Sequence, residues 1–255
     1  LKENILLKKI IFLISLSSNV VHADEVSVGC ASNFMATAEE IARLFEKNTH
    51  HHVKLVSSSS GKLSKAAREN QDFEVLLLGD LKIAQDLDRD GFVAKDSRFT
   101  YAIGKLALWS KNPKLVDTKG DVLLTGNFEH IIIPKVPENS YGNMAKIVLE
   151  NMKLWSALEA KVIFAPNVVD AHDMIAAEKA ELGFTALSLL NPQKKIEGSV
   201  WIVPQKLYSP IEQQAVLLKF AENKPVARAF IDFLKMPQAQ NTIEKYSYSV
   251  PAHKR

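Results

Sequence analysis

The sequence predicts an α/β protein of two domains, on three observations. Apolar, strand-like runs alternate with amphipathic helical stretches along the whole chain. Four of those runs break into a short polar turn and open at once into a helix, at Ser32-Asn33, Ser57-Ser58-Ser59-Ser60-Gly61, Asn139-Ser140-Tyr141-Gly142 and Asn167-Val168. A chain of 255 residues is also long enough to bury a sizeable core and to divide in two.

Residues 1–23 read as a secretory signal peptide, with a basic start (Lys2, Lys8, Lys9), an apolar stretch from Ile10 to Leu16 and a small-residue boundary at Val21-His22-Ala23. The apolar stretch is too short to span a bilayer comfortably. The first strand follows at Val26–Ala31. Its Cys30 is the chain's single cysteine, so no intramolecular disulfide can form, and a small buried residue is expected there. Ser27-Val28-Gly29-Cys30 faintly resembles a lipoprotein cleavage box, but it lies beyond Asp24-Glu25 and away from the apolar stretch it should adjoin.

Ala38, Ile41, Ala42 and Phe45 then recur at helical spacing, with Glu39, Glu40 and Lys47 on the other face. A capping box from Thr37 to Glu40 would start this helix a turn after Asn33. The second strand is Val53–Val56, and its helix follows Gly61 with Leu63, Ala66 and Ala67. Phe73–Leu78 is the third strand. Leu81–Asp90 is a helix stopped by Gly91. Ala107–Trp109, Ile131–Ile133, Val162–Ala165, Trp201–Val203 and Ala215–Leu218 are strand-like, and Pro225 opens a last long helix, Val226–Leu234.

The four strand–turn–helix junctions point to oxyanion binding. The first N–H groups of a helix lack intrahelical acceptors and sit at the positive end of its dipole, so several helix starts aimed at one point hold an anion without a buried lysine or arginine. Other readings of these residues are weaker. Ser57–Ser60 resembles a flexible linker, but Gly61 and a helical pattern follow directly. Ser32 or Ser60 as a hydrolase nucleophile lacks both a Gly-x-Ser-x-Gly motif and evident His/Asp partners. His50-His51-His52 lies where a helix turns into the next strand, and adjacent residues do not share a helix face, so a solvated loop is expected and not a metal site. Asp86-Leu87-Asp88-Arg89-Asp90-Gly91 matches the first half of a calcium loop, but Ser97 stands where a bidentate glutamate is required. His172 and Asp173 are expected to be ordinary polar positions of the fourth helix.

The formal charge is +3; residues 1–23 contribute +2, and +1 remains from Asp24 onward. Basic and acidic residues alternate on helix faces, which excludes a nucleic-acid partner.

Ala31-Ser32-Asn33-Phe34, Ser57-Ser58-Ser59-Ser60-Gly61-Lys62-Leu63, Tyr141-Gly142, Asn167-Val168 and Gly183-Phe184-Thr185-Ala186-Leu187-Ser188 occur in the order and approximate spacing seen in periplasmic molybdate-binding proteins of ABC importers. Tyr101–Leu106, Leu154-Trp155 and Arg228–Lys235 resemble that family too. The resemblance runs from about Val26 to Tyr246. It implies a type II periplasmic-binding-protein fold: two α/β lobes joined by two crossover strands, with a ligand cleft between them. The crossings would lie near Ile103–Lys105 and Lys206–Ile211, giving a first lobe of residues 24–103 and 207–255 and a second of 104–206.

By the same resemblance Ser32 and Asn33, Ser60, Tyr141 and Val168 would contact the oxyanion, the last two mainly through backbone N–H groups. Some relatives place a tyrosine hydroxyl on the ligand where this chain has Ala186, so that contact would be absent or supplied by Asn33. Relatives usually read Asp-Val-Phe-Leu-Ser-Ala-Asp at Glu74–Asp80, which leaves the local strand end open. The implied function is capture of molybdate or tungstate in the periplasm and delivery to an inner-membrane ABC permease, by a monomer without cofactor, metal or catalytic residue. A receptor for sulfate or phosphate, or an enzyme on the same scaffold, are the alternatives. Many neutral donors acting together would offset the dianion's desolvation, each contributing ~1.5–3 kcal/mol. A rigid donor cavity would exclude smaller sulfate or phosphate by size.

Overall fold

The computed structural model describes residues 23–69, 72–190 and 195–251, so the signal-peptide assignment falls outside the described residues except at Ala23. The first half of the chain forms β1 (Glu25–Ala31), α1 (Met35–Thr49), β2 (His52–Ser58), α2 (Ser60–Glu69), β3 (Val75–Leu78), α3 (Leu81–Arg89), β4 (Phe99–Gly104), β5 (Leu106–Ser110) and α4 (Val122–Thr125). The second half forms β6 (Ile131–Pro134), α5 (Ser140–Asn151), α6 (Trp155–Leu158), β7 (Val162–Ala165), α7 (Val168–Ala176), β8 (Leu182–Ala186), β9 (Ser199–Ile202), β10 (Ile211–Leu217), α8 (Pro225–Phe233) and α9 (Pro237–Lys245).

These strands build two five-stranded sheets, ordered β2-β1-β3-β10-β4 and β7-β6-β8-β5-β9. In each, three parallel strands are followed by one that runs against them (β10, β5) and by an edge strand antiparallel to that one (β4, β9). The chain leaves the first sheet at Lys105, between β4 and β5, and returns between β9 and β10. Tyr208 ties the two passages together, its hydroxyl accepting the Leu106 N–H at 3.0 Å.

The interior parallel strands β1, β3, β6 and β8 are buried on both faces, which is why they read as nearly unbroken apolar runs, whereas the edge strands β2 and β7 are partly exposed. On one face of the first sheet Val26, Val28, Cys30, Val75 and Leu77 pack with Ile41, Phe45 and Phe230; on the other Leu76 and Leu78 pack with Leu63, Ala67 and Leu87. Cys30 is the small buried residue expected, and burial pushes its thiol pKa up. The second sheet repeats the scheme, with Leu106, Ile131, Ile133 and Phe184 against Val148 and Leu149, and Ala107, Trp109 and Ile132 against Ala171 and Ile175.

Three local expectations are corrected. Thr37 does not cap: a 3-10 turn at Ser32–Phe34 leads directly into α1, and Thr37 is buried inside that helix. β2 continues through Ser57 and Ser58, because both pair in register with Cys30 and Ala31. β10 starts four residues earlier than its apolar run, since Gln213 and Gln214 are buried polar members of the strand. The strand preceding Gly79 ends at Leu78, and Asp80 caps α3. No helix among the described residues is long and apolar enough to cross a membrane.

His172 stacks on Trp109, with ring centroids 5.1 Å apart and planes 12° from parallel, and its buried Nδ1 has no hydrogen-bond partner among the described residues. Burial holds its pKa below the ordinary histidine value, with Asp173 opposing. The folded protein therefore resists a proton that the unfolded chain accepts near pH ~6.5. Stability from this site is complete above that pH and falls as pH drops from it toward the depressed folded value. Thermal unfolding between about pH 7.5 and 5.5 should show a smaller loss of melting temperature in His172→Phe than in the unsubstituted protein.

Candidate functional site

The ends of β1, β2, β3 and β7 and the start of α5 face one cavity of about 220 Å³ between the two sheets. Ser32, Asn33, Ser60, Tyr141 and Val168 all line it. No lysine or arginine is among the described residues around it; its charged residues are Asp80 and Glu138.

At the first junction Phe34 is fully buried and meets Tyr101 and Tyr248 edge-on, with centroids at 4.7 and 5.1 Å, which anchors the Ser32–Phe34 turn. Ser32 Oγ accepts from Ser57 Oγ at 3.1 Å. The Asn33 side chain is turned inward: its Nδ2 donates to Gln213 Oε1 at 3.3 Å and Tyr248 Oη at 3.1 Å, while Tyr248 donates back to the Asn33 carbonyl at 2.8 Å. Its side chain is thus committed within the protein, although Asn33 lines the cavity.

At the second junction Ser59 caps α2, its carbonyl accepting from Leu63 N–H at 3.0 Å. Ser60 is the first helical residue. Its Oγ accepts the Gly79 N–H at 2.9 Å, which fixes the oxygen and leaves the hydroxyl proton to donate.

At the third and fourth junctions asparagine is the cap. Asn139 Oδ1 accepts from Tyr141 N–H at 3.0 Å and Gly142 N–H at 3.3 Å; Asn167 Oδ1 accepts from Val169 N–H at 2.9 Å and Asp170 N–H at 3.0 Å. An N-cap of this kind satisfies the second and third helical donors and leaves the first. The N–H groups of Ser140 and Val168 accordingly engage no partner among the described residues. Gly142 lets α5 begin against β6, for a Cβ there would lie 2.0 Å from the Pro134 carbonyl oxygen.

The Tyr141 side chain has a second task. Its hydroxyl accepts from Gln213 Nε2 at 3.2 Å and rests on Gly104, where a Cβ would fall 2.1 Å away. Gln213 is fully buried and also takes the Tyr101 hydroxyl at 3.3 Å. Burial keeps the phenols of Tyr101, Tyr141 and Tyr248 protonated well above the ordinary range. Asp80, Gln213 and Tyr248 were missed in the sequence. Asp80 alone had a local signal, as an acidic residue just before a helical run.

The set-aside motifs have other occupations. His50 is the left-handed end of α1 at φ 61°, His51 Nδ1 accepts the Asp24 N–H at 3.2 Å, and His52 opens β2. Asp86 pairs with Lys82 and Arg89, Asp88 with Arg98, and Asp90 with Arg68.

A cavity of neutral donors at helix starts suits a small, fully deprotonated anion. Comparison with known proteins leads the same way. The model of a family described as bacterial extracellular solute-binding protein matches residues 26–249. The molybdate-binding protein ModA of Azotobacter vinelandii is 39% identical over 229 residues, 89% of this chain and 91% of that protein. ModA of Rhodobacter capsulatus is 38% identical over 226 residues, 89% of this chain and 88% of that protein. The solved periplasmic molybdate-binding protein of Azotobacter vinelandii matches with a TM-score of 0.84 at 38% identity, covering 89% of this chain and 100% of that one.

Ser60→Ala should weaken oxyanion binding by ~1–3 kcal/mol, read by titration calorimetry, since it removes a donor to a charged acceptor. Gly142→Ala should lower both melting temperature and anion affinity, costing ~1–3 kcal/mol of stability, because the contact it makes is with backbone that cannot swing aside. Replacing His50, His51 and His52 together should leave the anion affinity unchanged.

Proposed function

The chain belongs to the bacterial extracellular solute-binding proteins and has their type II bilobal fold, and we propose that it captures molybdate or tungstate in the cavity between its lobes and delivers the anion to an inner-membrane ABC permease. The observation that carries this is the convergence of four helix starts, two from each lobe, on a single cavity without lysine or arginine. Ser32, Asn33, Ser60 and Val168 are its ligand-contacting positions, through the Ser32 and Ser60 hydroxyls and through backbone N–H groups at their helix starts; Tyr141 lines the cavity, but its own N–H is held by Asn139 Oδ1. Ser140 N–H joins them as the open donor of the third start.

Relatives that share more than a third of their residues with this chain are named for molybdate, which supports the identity of the anion. A tetrahedral dianion brings only acceptors, and the cavity offers hydroxyl and amide donors to meet them. Sulfate and phosphate are smaller, so they would leave some donors unreached. The lobes, residues 24–103 with 207–255 and residues 104–206, close as rigid bodies about the passages at Lys105 and between β9 and β10. Export by the signal peptide 1–23 places the protein in the periplasm. It works there as a monomer, a receptor and not an enzyme, with no cofactor beyond the anion it carries.

Thermal unfolding of the chain from Asp24 onward, with molybdate, tungstate, sulfate or phosphate added separately, tests this reading. Ligand at about a hundred times its dissociation constant should add ~2.7 kcal/mol, a rise of roughly 5–11 °C for a chain of this size. A rise with molybdate and tungstate alone is expected. A rise with sulfate or phosphate alone would move the substrate, and silence with all four would overturn the assignment.

A further inference from the structure

We propose that Ser140 masks the carboxylate of Asp80 and thereby sets the cavity's selectivity against protonated oxyanions. This rests on the cavity being an oxyanion site. Asp80 lines that cavity, which is an unexpected place for a negative charge. Both of its oxygens are engaged. Oδ1 accepts the Ile83 N–H at 3.1 Å as the N-cap of α3, and Oδ2 accepts the Ser140 hydroxyl at 2.6 Å. Asp80 follows β3 of the first sheet, whereas Ser140 opens α5 of the second lobe, so the bond spans the cleft. It forms only when the lobes are together.

Four further side-chain acceptors on the wall are taken in the same way. Asn139 Oδ1 and Asn167 Oδ1 each receive two backbone N–H groups, Ser60 Oγ receives Gly79 N–H, and Ser32 Oγ receives the Ser57 hydroxyl. Glu138 is exposed and lies 3.4 Å from Lys135. Protein donors thus occupy these acceptors, while the N–H groups of Ser140 and Val168 stay open. Hydrogen phosphate near neutral pH carries an O–H that must find an acceptor, and here the inward-facing side-chain acceptors already hold protein donors. Sites whose polar groups are left unpaired by the wrong ligand discriminate strongly against it. Molybdate, tungstate and sulfate carry no proton and avoid the conflict.

Removing the Ser140 hydroxyl reverses this logic at one point. Asp80 Oδ2 becomes an open acceptor for a ligand proton and an unscreened charge toward a dianion that has none. The Ser140 N–H at the start of α5 is retained in Ser140→Ala. Titration calorimetry of the mature chain with molybdate and with inorganic phosphate near neutral pH reads the ratio of the two affinities. Ser140→Ala should lower the molybdate-to-phosphate ratio at least about tenfold. Adding Asp80→Asn should restore the ratio toward its original value, because the new side chain's carbonyl oxygen can keep the cap on Ile83 while its amide presents a donor in place of the carboxylate. Ser140→Cys, whose thiol is a weak donor, should shift the ratio in the same direction by less.

An unchanged ratio in both Ser140 variants, or a lowered ratio that persists once Asp80 is also replaced, would overturn the proposal. Those results presuppose that the unsubstituted protein binds molybdate. If it binds no oxyanion, the function assigned above fails first, and the two failures are told apart.

Discussion

The constraint on which the rest of the structure depends is that a handful of helix-start N–H groups must stay unpaired inside a folded protein. Buried backbone donors are normally satisfied, and each one left open costs free energy. The chain confines the cost to one cavity by satisfying everything next to it. Asn139 and Asn167 close the second and third donors of α5 and α7 and leave the first of each. The two sheets share one strand plan, so the arrangement arises once after β1 and β2 and again after β6 and β7. Ligand sites at the carboxyl ends of parallel strands follow from that plan.

Open donors are useful only if they are aimed, and the aim is held by a buried amide. Gln213 connects Asn33 of the first junction, Tyr101 of β4 and Tyr141 of the third junction, which makes it a polar link between both lobes at the passage. A register shift between Gln213 and Gln214 lets both side chains be buried on the returning strand. Gly104 supplies the space that the Tyr141 hydroxyl needs beside that strand. Tyr248 closes the circuit, accepting from Ser188 of the second lobe at 3.0 Å and donating to Asn33 of the first. Buried polar networks of this kind are rigid when every member is satisfied.

The sequence showed the junctions because their signals are local: an apolar run, a polar turn, then helical spacing within about fifteen residues. Pro225 at the start of α8 and Gly91 after α3 were legible for the same reason. It did not show which polar residue of a turn is cap and which faces the ligand. Asn139 and Asn167 read equally well as either, and only the hydrogen bonds distinguish them. Gln213 and Tyr248 had no signal, since the partners that give them meaning lie 60 to 215 residues away in the chain. Thr37 misled because a capping box was present in letters, while the burial of Thr37 on the core face of α1 decided otherwise.

A cavity built from neutral donors also answers a problem that a receptor poses. The anion must be held against water and later be given up. A lysine in the wall would keep its attraction at any lobe separation, falling only slowly with distance. Hydrogen bonds are short-ranged and directional, so separation of the lobes removes them outright. Under the proposed function two of the four helix starts, those of α5 and α7, leave the anion when the cleft opens. If each start contributes about 1.5–3 kcal/mol, affinity falls by roughly two to four orders of magnitude without any change in the residues themselves. The bond between Asp80 and Ser140 breaks in the same motion. The carboxylate is then unmasked toward a departing dianion, so opening the cleft both withdraws donors and restores a repulsion that closure had screened.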